Sequence, residues 1–199
     1  NALNGIEESD YFRTHPVTSE RVRFLEQAVK QSPYHQDHSL DSEFQRIKAK
    51  LYGFLQEPAQ TFKRYPPSDT SIAARYAQAI AYFKQLNFGK ALRMIDVLSA
   101  EEPDNPYFYE LKAQIYMEQG NLKAAKEAYG KVLKLRPDAA LLQVDWAQAA
   151  LAVSPSPAEL KNIIAVLNRS LQQRPSAIGW LLLSQAYDQN GQTAYAEYA

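Results

Sequence analysis

The sequence predicts an all-α protein built from stacked pairs of helices. Three observations lead to this prediction: apolar residues recur at helical spacing, one segment repeats with a fixed period, and Pro or Gly marks the segment boundaries. No segment is predicted to be a strand.

The repeat has a period of 34 residues, the length of a tetratricopeptide unit. Pro103 and Pro137 lie 34 positions apart, and the segments before them can be aligned. In such a unit, small side chains lie where the two helices of a pair cross. The residues predicted at these crossings are Ala79, Ala91, Ala113 and Ala125. The expected fold is therefore a right-handed tetratricopeptide-repeat α-solenoid with an N-terminal helical appendage.

Two further copies follow. Trp180 to Tyr187 fits the pattern W-x2-L-small-x2-Y of a fourth copy, and a poorer third copy runs from Ala140 to Pro175. The third copy is lengthened by Ser154 to Pro157, where Ser156 is a good N-cap and Glu159 can close a capping box. In the second copy, Asn105-Pro106 should begin the first helix and Gly120 should end it.

The domain organisation follows from these patterns. Residues 1–2 resemble a tag remnant, and residues 34–70 are predicted to be a linker with one helix, Asp41 to Leu55. Residues 3–33 contain an amphipathic helix from Thr18 to Gln31. Residues 71–199 form the repeat domain, with about four repeats and the last one truncated. Both ends look cut, so we expect a portion of a longer protein.

Charge and composition disfavour several classes of function. The 22 basic and 22 acidic residues balance, so there is no positive field for nucleic acid. The absence of cysteine excludes thiolate catalysis and cysteine-ligated zinc. No apolar run is long enough to span a bilayer.

The sequence contains no catalytic motif: there is no His-Glu-x-x-His, Gly-rich phosphate loop or Gly-x-Ser-x-Gly. His35, Asp37 and His38 could be imagined as metal ligands, but a solvated loop is the favoured interpretation because no fourth ligand is evident. We therefore expect this part of the protein to be non-enzymatic, with no cofactor and no metal, and to bind a protein or peptide.

A groove is expected where the first helix of each repeat lines one surface, and it should suit a bound peptide or helix. The alternative is that upstream helices or a further part of the chain fill this groove. Counting from the motif residues predicts that the groove is lined by Tyr76, Ile80, Phe83, Lys84, Tyr107, Glu110, Gln114, Met117, Val144, Gln148 and Leu151.

One N-terminal segment resembles a known family. The run from Thr14 to Val22, with His15-Pro16 and Arg21, is similar to the S-x-H-P-x4-R segment that closes the protease domain of zinc metallopeptidases of the HtpX and CAAX-prenyl-protease type. Residues 64–77 and 100–108 look like the linker and second repeat of the exported bacterial subgroup, in which repeats follow the protease domain. The catalytic helix of that family does not occur in this sequence.

The resemblance implies the C-terminal, non-catalytic portion of a periplasmic or membrane-associated metallopeptidase, whose zinc would be held by the parent enzyme. The repeats would present clients or assembly machinery to the upstream protease domain. His15 would lie near the zinc, or would only cap the helix that begins near Thr18; both alternatives stay open. A free-standing repeat adaptor is the competing interpretation.

Overall fold

A computed structural model describes residues 18–33 and 40–196, and within these ranges the regular structure is helical, without a strand. The predicted all-α tetratricopeptide-type solenoid is confirmed. The helices are α1 (Thr18–Gln31), α2 (Asp41–Leu55), α3 (Pro58–Arg64), α4 (Ile72–Lys84), α5 (Phe88–Glu101), α6 (Pro106–Glu118), α7 (Leu122–Leu135), α8 (Ala140–Leu151), α9 (Pro157–Gln173), α10 (Ala177–Gln189) and α11 (Thr193–Ala196).

The chain divides into two compact units, residues 1–44 and 45–199. In the first unit, α1 has the predicted bounds and carries an exposed apolar stripe formed by Val22, Leu25 and Val29. The second unit begins within α2 and contains the helices that follow. The domain limits given above stay predictions.

In the predicted linker, the described residues 40–70 contain a second helix besides the one that the sequence predicts. Pro58 begins the seven-residue helix α3, which has no apolar periodicity of its own. Packing against α4 holds this segment. The buried side chain of Gln78 in α4 also donates hydrogen bonds to the backbone carbonyl oxygens of Tyr65 and Pro66, at 3.3 and 2.8 Å.

Four helix pairs follow: α4 with α5, α6 with α7, α8 with α9, and α10 with α11. The predicted crossing residues Ala79, Ala91, Ala113 and Ala125 are all fully buried. This confirms that the pairs cross at small side chains.

The core is a series of clusters along the stack. One cluster surrounds Tyr76 and Phe108, whose rings meet edge to face with centroids 5.1 Å apart. A second surrounds Leu167 in the third and fourth pairs. Trp146 is partly buried and contacts the C-terminal cluster as well as a smaller one between them, whereas Trp180 in α10 is 41% exposed. Consecutive repeats are thus joined by shared side chains, as expected for a solenoid.

Several predicted helix ends are confirmed. The Asn105 side chain accepts a hydrogen bond from the backbone N–H of Tyr107, and Pro106 begins α6. Ser156 and Glu159 form the predicted capping box at the start of α9. Gly120 has φ +71°, the left-handed conformation that ends a helix.

The first repeat has Leu86 where the second has Gly120, and Leu86 adopts the same left-handed conformation, with φ +58°. Its side chain is 70% exposed, so little packing compensates for the steric cost of this backbone conformation. We therefore expect Leu86→Gly to raise the free energy of unfolding by about 0.5–1 kcal/mol, measured by denaturant titration.

Gly120→Ala is the matched control. A Cβ at Gly120 would meet no atom within 4 Å, so only the backbone conformation should matter. This substitution should lower stability by about 1 kcal/mol. If both substitutions shifted stability in the same direction, backbone strain would not be the cause.

Candidate partner-binding surface

The first helices of the four pairs, α4, α6, α8 and α10, present the surface that the sequence predicts to be a groove. Four of the predicted groove residues are buried in the core and do not line an accessible surface: Tyr76 is 1% exposed, Ile80 0%, Val144 4% and Leu151 4%. The prediction was wrong for these four as accessible groove positions. Val144 and Leu151 pack in the C-terminal core cluster.

The N-terminal half of this surface is covered by α2. Gly53 of α2 lies so close to Ile80 that an added Cβ would be 3.1 Å from the Ile80 Cβ and Cγ2 atoms. Lys50 reaches the second repeat, where its Nζ lies 2.6 Å from Glu110 Oε2 and 4.6 Å from the centre of the Tyr107 ring. The alternative that upstream helices fill the groove therefore applies to α4 and the beginning of α6.

Polar contacts at both ends of α2 hold it there. Arg46 Nη1 lies 3.1 Å from Glu102 Oε1, in the connection before α6. At the other end, Lys84 Nζ donates hydrogen bonds to the carbonyl oxygens of Phe54 and Gln56, at 3.0 and 2.6 Å. A cation at these last carbonyls suits the C-terminal end of a helix. Lys84, predicted to face a partner, instead binds α2.

Phe83 also belongs to this half of the solenoid. It is half-buried and packs against the N-terminal core cluster, with its ring centroid 6.2 Å from that of Phe88. Its main contacts are thus structural.

The C-terminal half of the surface is accessible. We call it the open face, and it combines apolar and amide side chains, with Leu141 51%, Ile178 45% and Leu181 63% exposed. The predicted residue Gln148 is exposed. Gln114, which precedes Gln148 by one repeat period, is half-buried, and so is Met117. The sequence analysis missed Leu141, Ile178 and Leu181. We define the open face by the exposed residues of the first helices α8 and α10, together with the half-buried Asp145: Leu141, Asp145, Gln148, Ile178, Leu181 and Gln185.

The sequence contains the information needed to predict Leu141, one of the missed residues. Leu141 follows Tyr107 by one repeat period of 34 residues and so occupies the same register. Ile178 precedes the motif residue Tyr187 by nine positions, as Tyr107 precedes Tyr116, so counting from the motif tyrosine of the fourth copy finds the isoleucine as well.

Asp145 gives the open face its charge. Its carboxyl group is half-buried on α8, and burial together with the nearby Glu110 carboxylate raises its pKa to about 6. The pKa of the Tyr129 hydroxyl is also raised well above its ordinary value. The main cause is burial, and the Asp145 and Glu110 carboxylates add to it. A half-buried carboxylate near a second one is an unfavourable charge arrangement.

Further features of the described residues concern metal binding and membrane insertion. No group of three or more His, Cys, Asp and Glu side chains among them could hold a metal ion. His15, His35 and His38 lie outside the described residues, so their predicted roles stay predictions. Within residues 18–33 and 40–196, no helix is both long and apolar enough to cross a membrane.

Comparison with known proteins agrees with this architecture. A tetratricopeptide repeat family profile matches residues 76–140 and 111–152. The structure of MamA MSR-1 is similar, with 15% sequence identity and a TM-score of 0.60, over 79% of this chain and 91% of that chain. MamA AMB-1 has 16% identity and a TM-score of 0.62, over 79% and 87% of the two chains. At such identities the likeness shows the fold alone. No curated protein matches the chain.

The position of α2 can be tested at Gly53. Gly53→Leu cannot keep the close approach to Ile80, so we expect the backbone amides of residues 45–55 to lose protection in hydrogen exchange while α6 to α9 keep theirs. Gly89→Leu is the control, because a Cβ there meets only Arg93 Nη1 at 3.7 Å. Unchanged protection in the Gly53 variant would contradict the packing described.

A second test uses the Asp145 charge. Its pKa is raised in the folded protein, so ionisation of Asp145 opposes folding: the fold loses stability as the pH rises from about 4 through about 6. Asp145→Asn should remove this loss and raise the melting temperature at pH 7.5 by roughly 2–4 °C, about 1 kcal/mol after solvent screening.

Near pH 2.5, well below the ordinary pKa of 3.8, the carboxyl group is protonated in both folded and unfolded chains, so the wild type and Asp145→Asn should melt at nearly the same temperature. Thermal unfolding followed by circular dichroism measures both values. A stabilisation that did not depend on pH would show that the carboxylate charge is not responsible.

Proposed function

We propose that this chain is a protein-interaction module that binds a polypeptide segment on the open face. The observation that carries the proposal is the difference between the two halves of the first-helix surface. The half formed by α4 and the start of α6 is covered by α2, whereas α8 and α10 present large apolar side chains to solvent. Stacked helical repeats characteristically bind partners on such a surface.

The side chains of the open face suit a peptide. Leu141, Ile178 and Leu181 provide apolar contacts, and Gln148 and Gln185 provide amide donors and acceptors for peptide backbone groups. The residues that define the open face do not include a nucleophile paired with a general base. The open face is therefore suited to binding and not to catalysis.

We further propose that the module belongs to an exported zinc metallopeptidase, periplasmic or membrane-associated, and presents clients or assembly machinery to its protease domain. Support comes from the sequence similarity of the segment from Thr14 to Val22, with His15 and Arg21, to the end of such protease domains. The zinc would be held by the protease domain of the parent enzyme. His15 would lie near that zinc.

A free-standing adaptor fits the fold equally well. The upstream reading frame distinguishes the two possibilities. A signal peptide followed by a His-Glu-x-x-His helix would establish the metallopeptidase and its compartment, whereas an unrelated or absent upstream domain would favour the adaptor.

The binding surface can be tested by selecting ligands from a random dodecapeptide display library. We expect selected peptides to lose at least about tenfold in affinity for Leu181→Glu, because a central apolar contact is replaced by a charge. Val97→Glu is the matched control: Val97 is 51% exposed, but lies on the second helix α5. If no peptide is selected, or if both variants bind alike, the open face is not the binding surface.

A further inference from the structure

We propose that a groove on α10 and α11 binds an amphipathic helix of a partner protein, packed as a further first helix would pack. This inference rests on the proposed function and specifies the conformation of the bound segment. The groove, which we call the α10 groove, shares Leu181 and Gln185 with the open face. It is lined by Leu181, Ser184, Gln185, Asp188 and Ala196.

The α10 groove has the register of a surface that is covered elsewhere in the chain. Leu181 and Ser184 precede the motif residue Tyr187 by six and three positions, as Tyr76 and Ala79 precede the motif tyrosine of the first copy. Both copies thus have a large side chain followed by a small one. Tyr76 and Ala79 are buried, at 1% and 0% exposure, whereas Leu181 is 63% exposed.

In the first copy, these positions pack against the next first helix, α6. Phe108, Leu111 and Ile115 of α6 are buried in one cluster with Tyr76 and Ala79. The three α6 residues have the spacing i, i+3 and i+7, which places them on one side of a helix. A helix with this apolar spacing is therefore what the surface receives.

The junction between the third and fourth pairs repeats this arrangement. Val144 and Ala147 of α8 are buried in one cluster with Leu182 and Ala186 of α10. The two α10 residues are four positions apart, like the second and third members of the α6 set. Twice along the stack, the surface of a first helix is covered by a helix with apolar residues at this spacing, and the α10 groove continues that interface.

The side chains of the α10 groove suit such a helix. The Ser184 hydroxyl donates a hydrogen bond to the carbonyl oxygen of Ala196 at 2.7 Å, so this small polar group is satisfied within the groove. Leu181 offers an apolar contact, and the exposed Asp188 adds a negative charge. The matching partner is a helix with apolar residues at i, i+3 and i+7 and a lysine or arginine beside them.

The experiment selects peptides on the wild-type chain from a display library with an alanine-rich helical scaffold. Each selected peptide is also made with proline at its centre, which breaks a helix, and with a lactam crosslink that stabilises one. Binding is measured by fluorescence anisotropy to the wild type, Ser184→Leu and Ser184→Ala. Ser184→Ala is the matched control, because Ala79 and Ala113 occupy the same register in the first two copies.

We expect the selected peptides to carry large apolar residues at i, i+3 and i+7. The proline peptides should bind at least about tenfold more weakly than the parent peptides, and the crosslinked peptides at least as tightly. Ser184→Leu should weaken binding at least about tenfold because the larger side chain fills the groove, whereas Ser184→Ala should bind like the wild type. If Ser184→Leu lowers the melting temperature, Gln185→Arg, at an exposed position of the groove, should give the same loss of binding.

Several results would overturn the inference. Proline peptides that bind as tightly as their parents, or full binding to both Ser184→Leu and Gln185→Arg, would exclude a helix in the α10 groove; the proposed function would stand if Leu181→Glu still weakened binding. A dimer in sedimentation that Ser184→Leu dissociates would make a second copy the occupant. If the full-length protein failed to bind peptides that this chain binds, a segment of its own would be the occupant. A failure to select any peptide would instead count against the proposed function itself.

Discussion

The close crossing of two helices within each pair is the constraint on which the rest of this structure depends. Ala79, Ala91, Ala113 and Ala125 are fully buried at these crossings, and any larger side chain would push the helices of a pair apart. The spacing of the pairs sets the spacing of the first helices. That spacing in turn brings Glu110 and Asp145, on neighbouring first helices, close enough to interact.

Local physics made much of the solenoid predictable from the sequence. Several features could be recognised in the sequence alone because each acts within a few residues of the chain. They are the alanines at a fixed period, the helix caps at Asn105 and Ser156, and the left-handed Gly120. Helix α3 was not predicted, because its stability comes from packing against α4 and from hydrogen bonds donated by Gln78, which are interactions between separate segments.

The candidate site was predictable only in part, for the same reason. Helical register correctly indicates which residues of α4 and α6 face one side, but register cannot show that another helix covers that side. Helix α2 can cover α4 because Gly53 has no side chain and so allows a close approach to Ile80. The position of α2 also depends on the contact between Lys50 and Glu110, which lies 60 positions further along the chain. Tyr76 and Ile80 therefore belong to the core, whereas Leu141, Ile178 and Leu181 form the accessible part of the surface.

The positions of the tryptophans affect how this protein should be studied in solution. The two tryptophans of the sequence, Trp146 and Trp180, lie in the third and fourth helix pairs. Because each repeat contacts mainly its neighbours, a solenoid can lose structure at one end before the other. Intrinsic tryptophan emission will thus report on the C-terminal helix pairs. Dissociation of α2 from α4 will not change this emission directly. The tyrosines near α2, such as Tyr52 and Tyr76, are the natural spectroscopic reporters for that event.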